Sequence, residues 1–376
     1  MILRKLISIA CIASLLTLSG CWDQHLLKDV TLVKSAGIDL VEDEKYLVSV
    51  TIRSIQEPTS TEEAGVSAPK TMQVESNTIR EARDLLDRRI GKAYDSSKLE
   101  VLVLGEELAK DDILLLLDVF YRNPRSPLST KLVISEGEAQ DIIKLGEGYP
   151  LQIGEYIADL LSSLEGETEV PNENIQSISA RLLSGGEDIT LPLIKPLDDV
   201  TATVVGLALF DGTKYTGKIE HQMSTLFLLM NGQLGKNARF SKKIHDDKEV
   251  NIANYITIDV TGVDRDLQLV ANSVDDITVK LNFKFDVDVV ELPVDVPMPI
   301  SEVRKLNKKL GDLFTKEAKI VTDRLLEANS DALGIGKRIH AFHHDIWKEK
   351  DWKEVYPNIK FETNIEVRID QQGILY

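Results

Sequence analysis

Cysteine, histidine and aromatic residues are all scarce in this chain: 2 Cys, 6 His and 6% Phe, Trp and Tyr among 376 residues. Both cysteines, Cys11 and Cys21, fall in the first 21 positions, so no disulfide framework is available to the body of the protein, which must hold together through its cores. No basic excess exists either. The formal net charge is −17, and such a body is repelled by nucleic acid and by anionic lipid. No basic patch with interleaved aromatics offsets this, so nucleic-acid binding is set aside. After Cys21 there is no run of about 18 apolar residues, which excludes a further membrane-spanning helix. Catalytic signatures are missing as well: G-x-S-x-G, H-E-x-x-H and G-x-x-x-x-G-K-[ST] do not occur. No cofactor and no metal site is expected. With 61 carboxylates present, neighbouring acids carry no weight as general acid/base pairs.

What is present begins at the N-terminus. Arg4 and Lys5 form a short positive segment, and Leu6 to Leu18 is apolar or small apart from Ser8, Ser14 and Thr17. That length is too short for a comfortable span and suits a signal-peptide core. It ends in Leu18-Ser19-Gly20-Cys21, which reads as a lipobox: cleavage after Gly20, lipidation of the Cys21 thiol, and a mature chain starting at Cys21. Cys11 leaves with the signal. A diacylglycerol thioether supplies two acyl chains, about what stable anchoring needs. Loss of Arg4 and Lys5 makes the mature body more acidic still, so lipid and not charge must hold it at the membrane, outside the cytoplasm.

The body reads as α+β and multidomain; its length suggests two or three domains, and divisions are expected at residues 21–110, 111–200 and 201–376, behind a signal peptide over 1–20. Strands are expected at 31–39 and 46–54 around the acidic turn Glu42-Asp43-Glu44. Residues 57–70, with Pro58, Gly65 and Pro69, read as a loop. A helix starts near Ser76 or Asn77, carries Ile79, Ala82, Leu86 and Ile90 on one face, and stops at Gly91. Leu99 to Leu104 is a buried-type strand, Ile113 to Tyr121 an apolar helix, Lys131 to Ser135 a strand. Two helices follow near 137–144 and 151–163. Pro192 to Asp199 reads as a linker. Residues 281–289 and 359–369 alternate apolar and polar with period two, which argues for an antiparallel sheet exposed on one face. Between them an amphipathic helix over 301–328 shows Val303, Leu306, Leu310, Phe314, Val321 and Leu325 as its stripe. Largely antiparallel sheets with helices packed on one face are therefore expected.

Four further features are candidates for a role. Gly334-Ile335-Gly336-Lys337 echoes a phosphate loop but lacks its first glycine and its Ser or Thr, so a helix start is expected. His340, His343 and His344 cluster; His340 and His344 share a helical face, as a metal pair would, yet no third ligand is at hand and a polar helix face is expected. Trp347 and Trp352 flank Lys348-Glu349-Lys350-Asp351 and are expected to anchor a turn to the core. They are also candidate interface residues, as is the 57–70 loop.

Taken together, an ordered set of short motifs resembles the C subunit of spore germinant receptors, the GerAC-like lipoproteins. Gly20-Cys21-Trp22-Asp23 and Ala36-Gly37-Ile38-Asp39 resemble the family's start. Arg80-Glu81-Ala82, Leu99 through Ala109, and Asp118-Val119-Phe120-Tyr121-Arg122-Asn123-Pro124 resemble its middle in order and spacing. Gly206 to Phe210 with Gly212 and Gly217 resembles the opening of its C-terminal domain. Gly334-Ile335-Gly336, Trp347, Trp352 and the strand up to Gly373 resemble its close. The resemblance spans nearly the whole mature chain. It implies three mixed α/β domains and a non-catalytic, lipid-anchored subunit on the outer face of the spore inner membrane, assembled with integral membrane A and B subunits of a nutrient-responsive receptor required for germination. Cys21 carries over as the lipid attachment site; Trp22 and Asp23 match without an assigned role. The His340–His344 cluster has no counterpart in the pattern. The competing reading is a lipoprotein solute-binding protein of a transporter, which would need two hinged α/β lobes with parallel sheets.

Overall fold

The computed structural model describes residues 30–52, 69–123, 126–147, 152–246, 249–293 and 299–371. The signal segment, Cys21, Trp22 and Asp23 lie outside them, as do residues 53–68, which hold most of the expected loop.

β1 (Val30–Leu32) pairs in parallel with β5 (Ala93–Asp95). β2 (Ser35–Val41) returns as β3 (Lys45–Ile52) through the acidic triplet, where Asp43 and Glu44 take left-handed backbone angles. β4 (Lys70–Ser76) completes the meander. α1 (Ile79–Ile90) is capped by Thr78, whose side chain accepts the N–H of Glu81, while Glu81 reaches back to the N–H of Asn77. Gly91, at φ 72°, ends it as expected. Next come β6 (Val101–Gly105), α2 (Glu106–Ala109), α3 (Ile113–Arg122), β7 (Lys131–Ser135), α4 (Ala139–Ile143), α5 (Ile153–Gly166) and α6 (Ile175–Ser184). β8 (Thr190–Pro196), β9 (Ala202–Asp211) and β10 (Lys214–Glu220) close this half.

These strands build one eight-stranded sheet in the order β10-β9-β8-β7-β6-β2-β3-β4. Its flanks are antiparallel, but β2, β6, β7 and β8 at its centre run parallel. The reason is visible in Val101 to Gly105, all buried: a strand covered on both faces needs no polar side. Val101, Val103 and Val133 face one core with α4 and α5. Leu102, Leu104, Leu132 and Ile134 face the other with α1, α3 and α6. Helices therefore cover both faces of this sheet, where covering of one face was expected. Residues 192–199 are not a linker up to Pro196: they are mostly β8, paired with β9 along its length. Prolines are tolerated there because β8 meets β7 only at Leu193 and Ile194. One sheet thus takes strands from all three expected segments, and positions 110 and 200 fall within its span.

The second half opens with α7 (His221–Met230), buried from Ser224 to Met230. β11 (Arg239–Lys243), β12 (Tyr255–Ser273), β13 (Asp276–Glu291) and β14 (Lys360–Gln371) form a four-stranded sheet in that order. β13 and β14 carry the alternation read from the sequence. They pair in parallel, because α8 (Ile300–Glu327) is a crossover between them. α8 lays Leu306, Leu310, Phe314, Ala318, Val321 and Leu325 on one sheet face, and Phe314 meets Phe240 and Phe285 edge-on at 4.9 and 5.6 Å. Here the expected arrangement, helix on one face and charge on the other, holds. α9 (Ile335–Phe342), α10 (His344–Glu349) and α11 (Trp352–Val355) complete the chain before β14.

Candidate functional site

The glycine, tryptophan and tyrosine residues near the C-terminus converge on one buried acid, Asp331, 2% exposed. It precedes α9, and its carboxylate accepts the N–H of Ile335 at 2.8 Å and of Gly336 at 2.6 Å, so it closes the first turn of that helix. Gly334 enters the helix at φ 68°, a left-handed angle that glycine adopts without strain. Trp352 lies against Gly336, where a Cβ would sit 2.7 Å from the indole Cδ1, and donates its Nε1–H to Asp331 at 2.8 Å. The Gly334-Ile335-Gly336-Lys337 stretch is thus a helix start whose glycines make room for tryptophan.

The same acid ties the two halves together. Asp188, just before β8, accepts the backbone N–H of Asp331 at 2.7 Å and that of Gly212 at 2.8 Å. Beside it, Asp211 pairs with Lys353 at 2.6 Å and accepts from the Asn329 amide at 3.1 Å. Lys337 donates its backbone N–H to Gly186 at 2.7 Å. Burial pushes the Asp331 carboxyl up to about 8, although three N–H donors pull the other way. Asp188 rises to about 6, again through burial. The Tyr356 hydroxyl, fully buried and without a hydrogen-bond partner, is also pushed up.

Trp352, 9% exposed, belongs to the interior as a turn anchor. Trp347 is half-buried and stacks at an angle on Trp352 at 6.0 Å and on His340 at 5.1 Å; His340 lies 5.4 Å from His344. His340 and His344 share a face although the chain breaks at His343 between α9 and α10. Among the described residues no group of three or more His, Cys, Asp or Glu is placed to hold a metal ion. The exposed members of this ladder are His340 and His344, and Phe342, 76% exposed, lies between them in the chain, so this part of the surface carries exposed aromatic rings.

A second knot explains the N-terminal motifs. Asp39 of β2 accepts the N–H of Ala139 at 2.6 Å and of Gln140 at 2.9 Å, and so caps α4. Gly37 lets α4 approach, since a Cβ there would meet Ile143 Cγ1 at 2.8 Å. Gly105 of β6 is crowded by the Asp39 carboxylate itself. Ala36 to Asp39 and Leu102 to Gly105 are adjacent parallel strands, so motifs far apart in sequence form one packing unit. In the middle motif, Arg122 pairs with Asp118 at 2.7 Å, and Tyr121 bonds to Ser179 of α6.

Asp331 and Asp188 escaped the sequence reading. The usable signal was position: an acid three residues before a helix-opening Gly-Ile-Gly is a capping candidate. Asp188 had no such local mark. The chemistry of the junction is hydrogen-bonding and packing; it holds no nucleophile–base pair.

Residues 23–196 match the family model described as the spore germination protein N-terminal domain. Residues 205–373 match the one described as spore germination B3/GerAC like, C-terminal. The chain is similar to spore germination protein GerQC of Bacillus cereus, 20% identical, covering 95% of this chain and 96% of that protein. It is similar to the putative spore germination protein YfkR of Bacillus subtilis (strain 168), 25% identical, covering 96% and 94%. It is also similar to spore germination protein KC of the same strain, 22% identical, covering 100% and 97%. Among solved structures it is similar to the crystal structure of the GerBC protein, with TM-score 0.58, 17% identity, and 89% and 96% of the two chains covered. That likeness speaks to the fold.

Proposed function

The chain belongs to the GerAC-like family of spore germination proteins, and from that premise we propose that it is a non-catalytic subunit of a nutrient-responsive germinant receptor. In this reading it is anchored by lipid on Cys21 at the outer face of the spore inner membrane and assembles with integral membrane A and B subunits. The observation that carries the proposal is the two family models, which together take in residues 23–196 and 205–373 with the junction at Asp188 and Asp331 between them. The lipobox at Leu18-Ser19-Gly20-Cys21 supports the anchor, and the acidic body supports its necessity. A tether raises the effective concentration of the soluble body at membrane partners, so modest interface affinity suffices. The aromatic patch at Trp347 and Phe342 is the proposed partner-facing surface.

The test is deletion of the gene in the source organism, with dipicolinate release from purified spores measured over a nutrient panel. Loss of response to one nutrient class, restored by wild type and poorly by Cys21→Ala, supports the proposal. Unchanged germination across the panel in a strain without paralogues sinks it. Alanine at Trp347 and Phe342 is expected to weaken recovery of the A and B subunits with the protein, and unchanged recovery removes the patch from the reading. The solute-binding alternative asks for two hinged lobes with parallel sheets. The parallel centre of the eight-stranded sheet meets that in part, the antiparallel β11–β13 does not, and a nutrient-dependent melting shift of the purified protein would favour it.

A further inference from the structure

The described chain begins beside a group of cations. β1 starts at Val30 and pairs in parallel with β5, with Val30 facing Ala93. Ala93 follows Lys92 and the Gly91 that ends α1. β5 then returns along the last turns of that helix, where the Tyr94 N–H donates to Asp87 at 2.5 Å. Arg88, Arg89 and Lys92 all stand exposed at this end. The acids nearest to them in the chain are turned to other donors. Asp84 pairs with Arg80 at 3.2 Å, Asp87 holds the Tyr94 N–H, and Asp95 accepts the Ser97 N–H at 2.8 Å. Arg89 also donates to the Gln73 carbonyl at 3.0 Å, which fixes it against β4. The surface where β1 begins is thus basic, in a chain of formal net charge −17.

We propose that Arg88, Arg89 and Lys92 form a docking surface for the anionic headgroups of the bilayer that carries the lipid anchor, and that this contact sets how the body stands on the membrane. The inference rests on the proposed lipidation of Cys21. Two arguments single out the bilayer as the partner. The first is reach. Eight residues, 22–29, separate Cys21 from Val30, and fully extended they hold β1 within about 30 Å of the lipidated residue. This end of the body therefore stays beside the membrane. The second is charge. An acidic body next to an anionic surface is repelled except where its own charge reverses, so it turns that face inward. Arg88 and Arg89 also complement the C-terminal dipole of α1, but Lys92 lies past Gly91, outside the helix. The surface potential decays within about 10 Å, a range that favours long exposed Arg and Lys side chains at the point of contact. Lipid holds the protein, and the basic face orients it.

The experiment uses the mature lipoprotein reconstituted in vesicles, with a fluorescent donor on Ala93→Cys and an acceptor on a lipid headgroup. Cys11 leaves with the signal and Cys21 is taken by lipid, so the introduced cysteine is the one free thiol. Energy transfer is compared between vesicles of phosphatidylcholine alone and of phosphatidylcholine mixed with phosphatidylglycerol. The expected result is higher transfer with phosphatidylglycerol, reversed by added salt. A label at Phe342→Cys, in the C-terminal half, should show no such gain. Lys92→Gln should lower the ratio of docked to undocked protein about fivefold, and Arg88→Gln with Lys92→Gln about 25-fold. Both positions are exposed, so the melting temperature should stay at the wild-type value. Equal transfer in the two lipid mixtures overturns the docking surface, as does an equal gain at both labels or a gain that the substitutions leave unmoved. Flotation keeps the two readings apart. A protein that fails to float with the vesicles overturns the lipid anchor and this surface with it, whereas one that floats with transfer indifferent to phosphatidylglycerol overturns the surface alone.

Discussion

The carboxylate of Asp188 accepts the backbone N–H of Asp331 at 2.7 Å, so an acid that precedes β8 of the eight-stranded sheet holds the very residue that caps a helix of the C-terminal half. The bond is one link of a chain: Gly212 donates to Asp188, Asp188 receives Asp331, Asp331 receives Trp352, and Trp352 packs on Gly336. The Trp352 link is buried and the two Asp188 links are part-buried, and directional bonds shielded from water in this way stiffen what they join. The seam between the two matched family regions is therefore a fixed joint.

Stability is expected to fall as pH rises from about 6 to 8. The folded-state pKa of Asp331, about 8, lies far above its ordinary 3.8. Between those values the folded chain holds a proton that the unfolded chain has released, so raising the pH favours unfolding until the folded group also ionises. Asp188, at about 6, adds to the acid end of the same window. The loss between pH 6 and 8 is on the order of 2 kcal/mol. Chemical denaturation at a series of pH values reads it out. In Asp331→Asn that slope should flatten, at the cost of a lower stability near pH 6, because an amide NH2 cannot accept the N–H bonds that one oxygen now takes from Gly336 and Trp352.

Trp352→Phe should cost about 1–2 kcal/mol, the indole N–H bond to Asp331 with most of the packing retained. The carboxyl loses one donor that favours its charged form, so its pKa should climb further and the pH slope should extend to higher pH. A Trp352→Phe variant with wild-type stability and an unmoved slope would show that the bond contributes nothing.

Asp39→Ala should destabilise by about 2 kcal/mol, since the N–H groups of Ala139 and Gln140 lose their acceptor in a buried place. Gly105→Ala should be similarly harmful, because its methyl group lands on the Asp39 carboxylate. The informative quantity is the double variant. With the carboxylate gone the methyl has room, so the two losses should not add, and a double-mutant cycle by denaturant unfolding measures the coupling. Simple additivity would refute the contact.

How much of this was readable beforehand depends on the range of the interaction. The apolar face of Ile79, Ala82, Leu86 and Ile90 and the stop at Gly91 announce α1, although its cap is Thr78 and not Ser76 or Asn77, and the alternation in β13 and β14 announces their buried faces, so both elements were legible. The parallel pairing of those strands was not, because period two is the same whichever way a neighbour runs. β8 was misread for a local reason: Pro192 and Pro196 look like a break, and only the limited pairing with β7 excuses them. At the junction, Trp352 as a turn anchor was legible from its setting. Its acceptor Asp331 and the link to Asp188, 143 positions away, were not, since nothing near Asp188 distinguishes it from the other acids.

Gly311→Ala sets two effects of opposite sign against each other. Alanine is the better helix former by about 1 kcal/mol, so propensity alone favours the change. But α8 crosses the free edge of β14 here. Thr315 Oγ1 accepts the Ile365 N–H at 2.9 Å and Asn307 Oδ1 accepts the Ile369 N–H at 3.2 Å, which satisfies edge donors that no strand pairs. Asn307, Gly311 and Thr315 are spaced by four, so they form one stripe, and glycine sits at its middle. A Cβ at 311 would stand 2.7 Å from the Ile365 carbonyl oxygen, a backbone atom that cannot swing aside. The helix must lift, and lifting stretches both side-chain bonds to the strand. Overpacking costs about 1–3 kcal/mol and each bond about 1 kcal/mol more, so packing outweighs propensity and the variant should be less stable by about 1–3 kcal/mol. Hydrogen exchange at Ile365 and Ile369 should quicken more than at the paired β12–β13 amides. A stabilised Gly311→Ala, with exchange unchanged at those two positions, would mean that α8 does not guard the edge of β14.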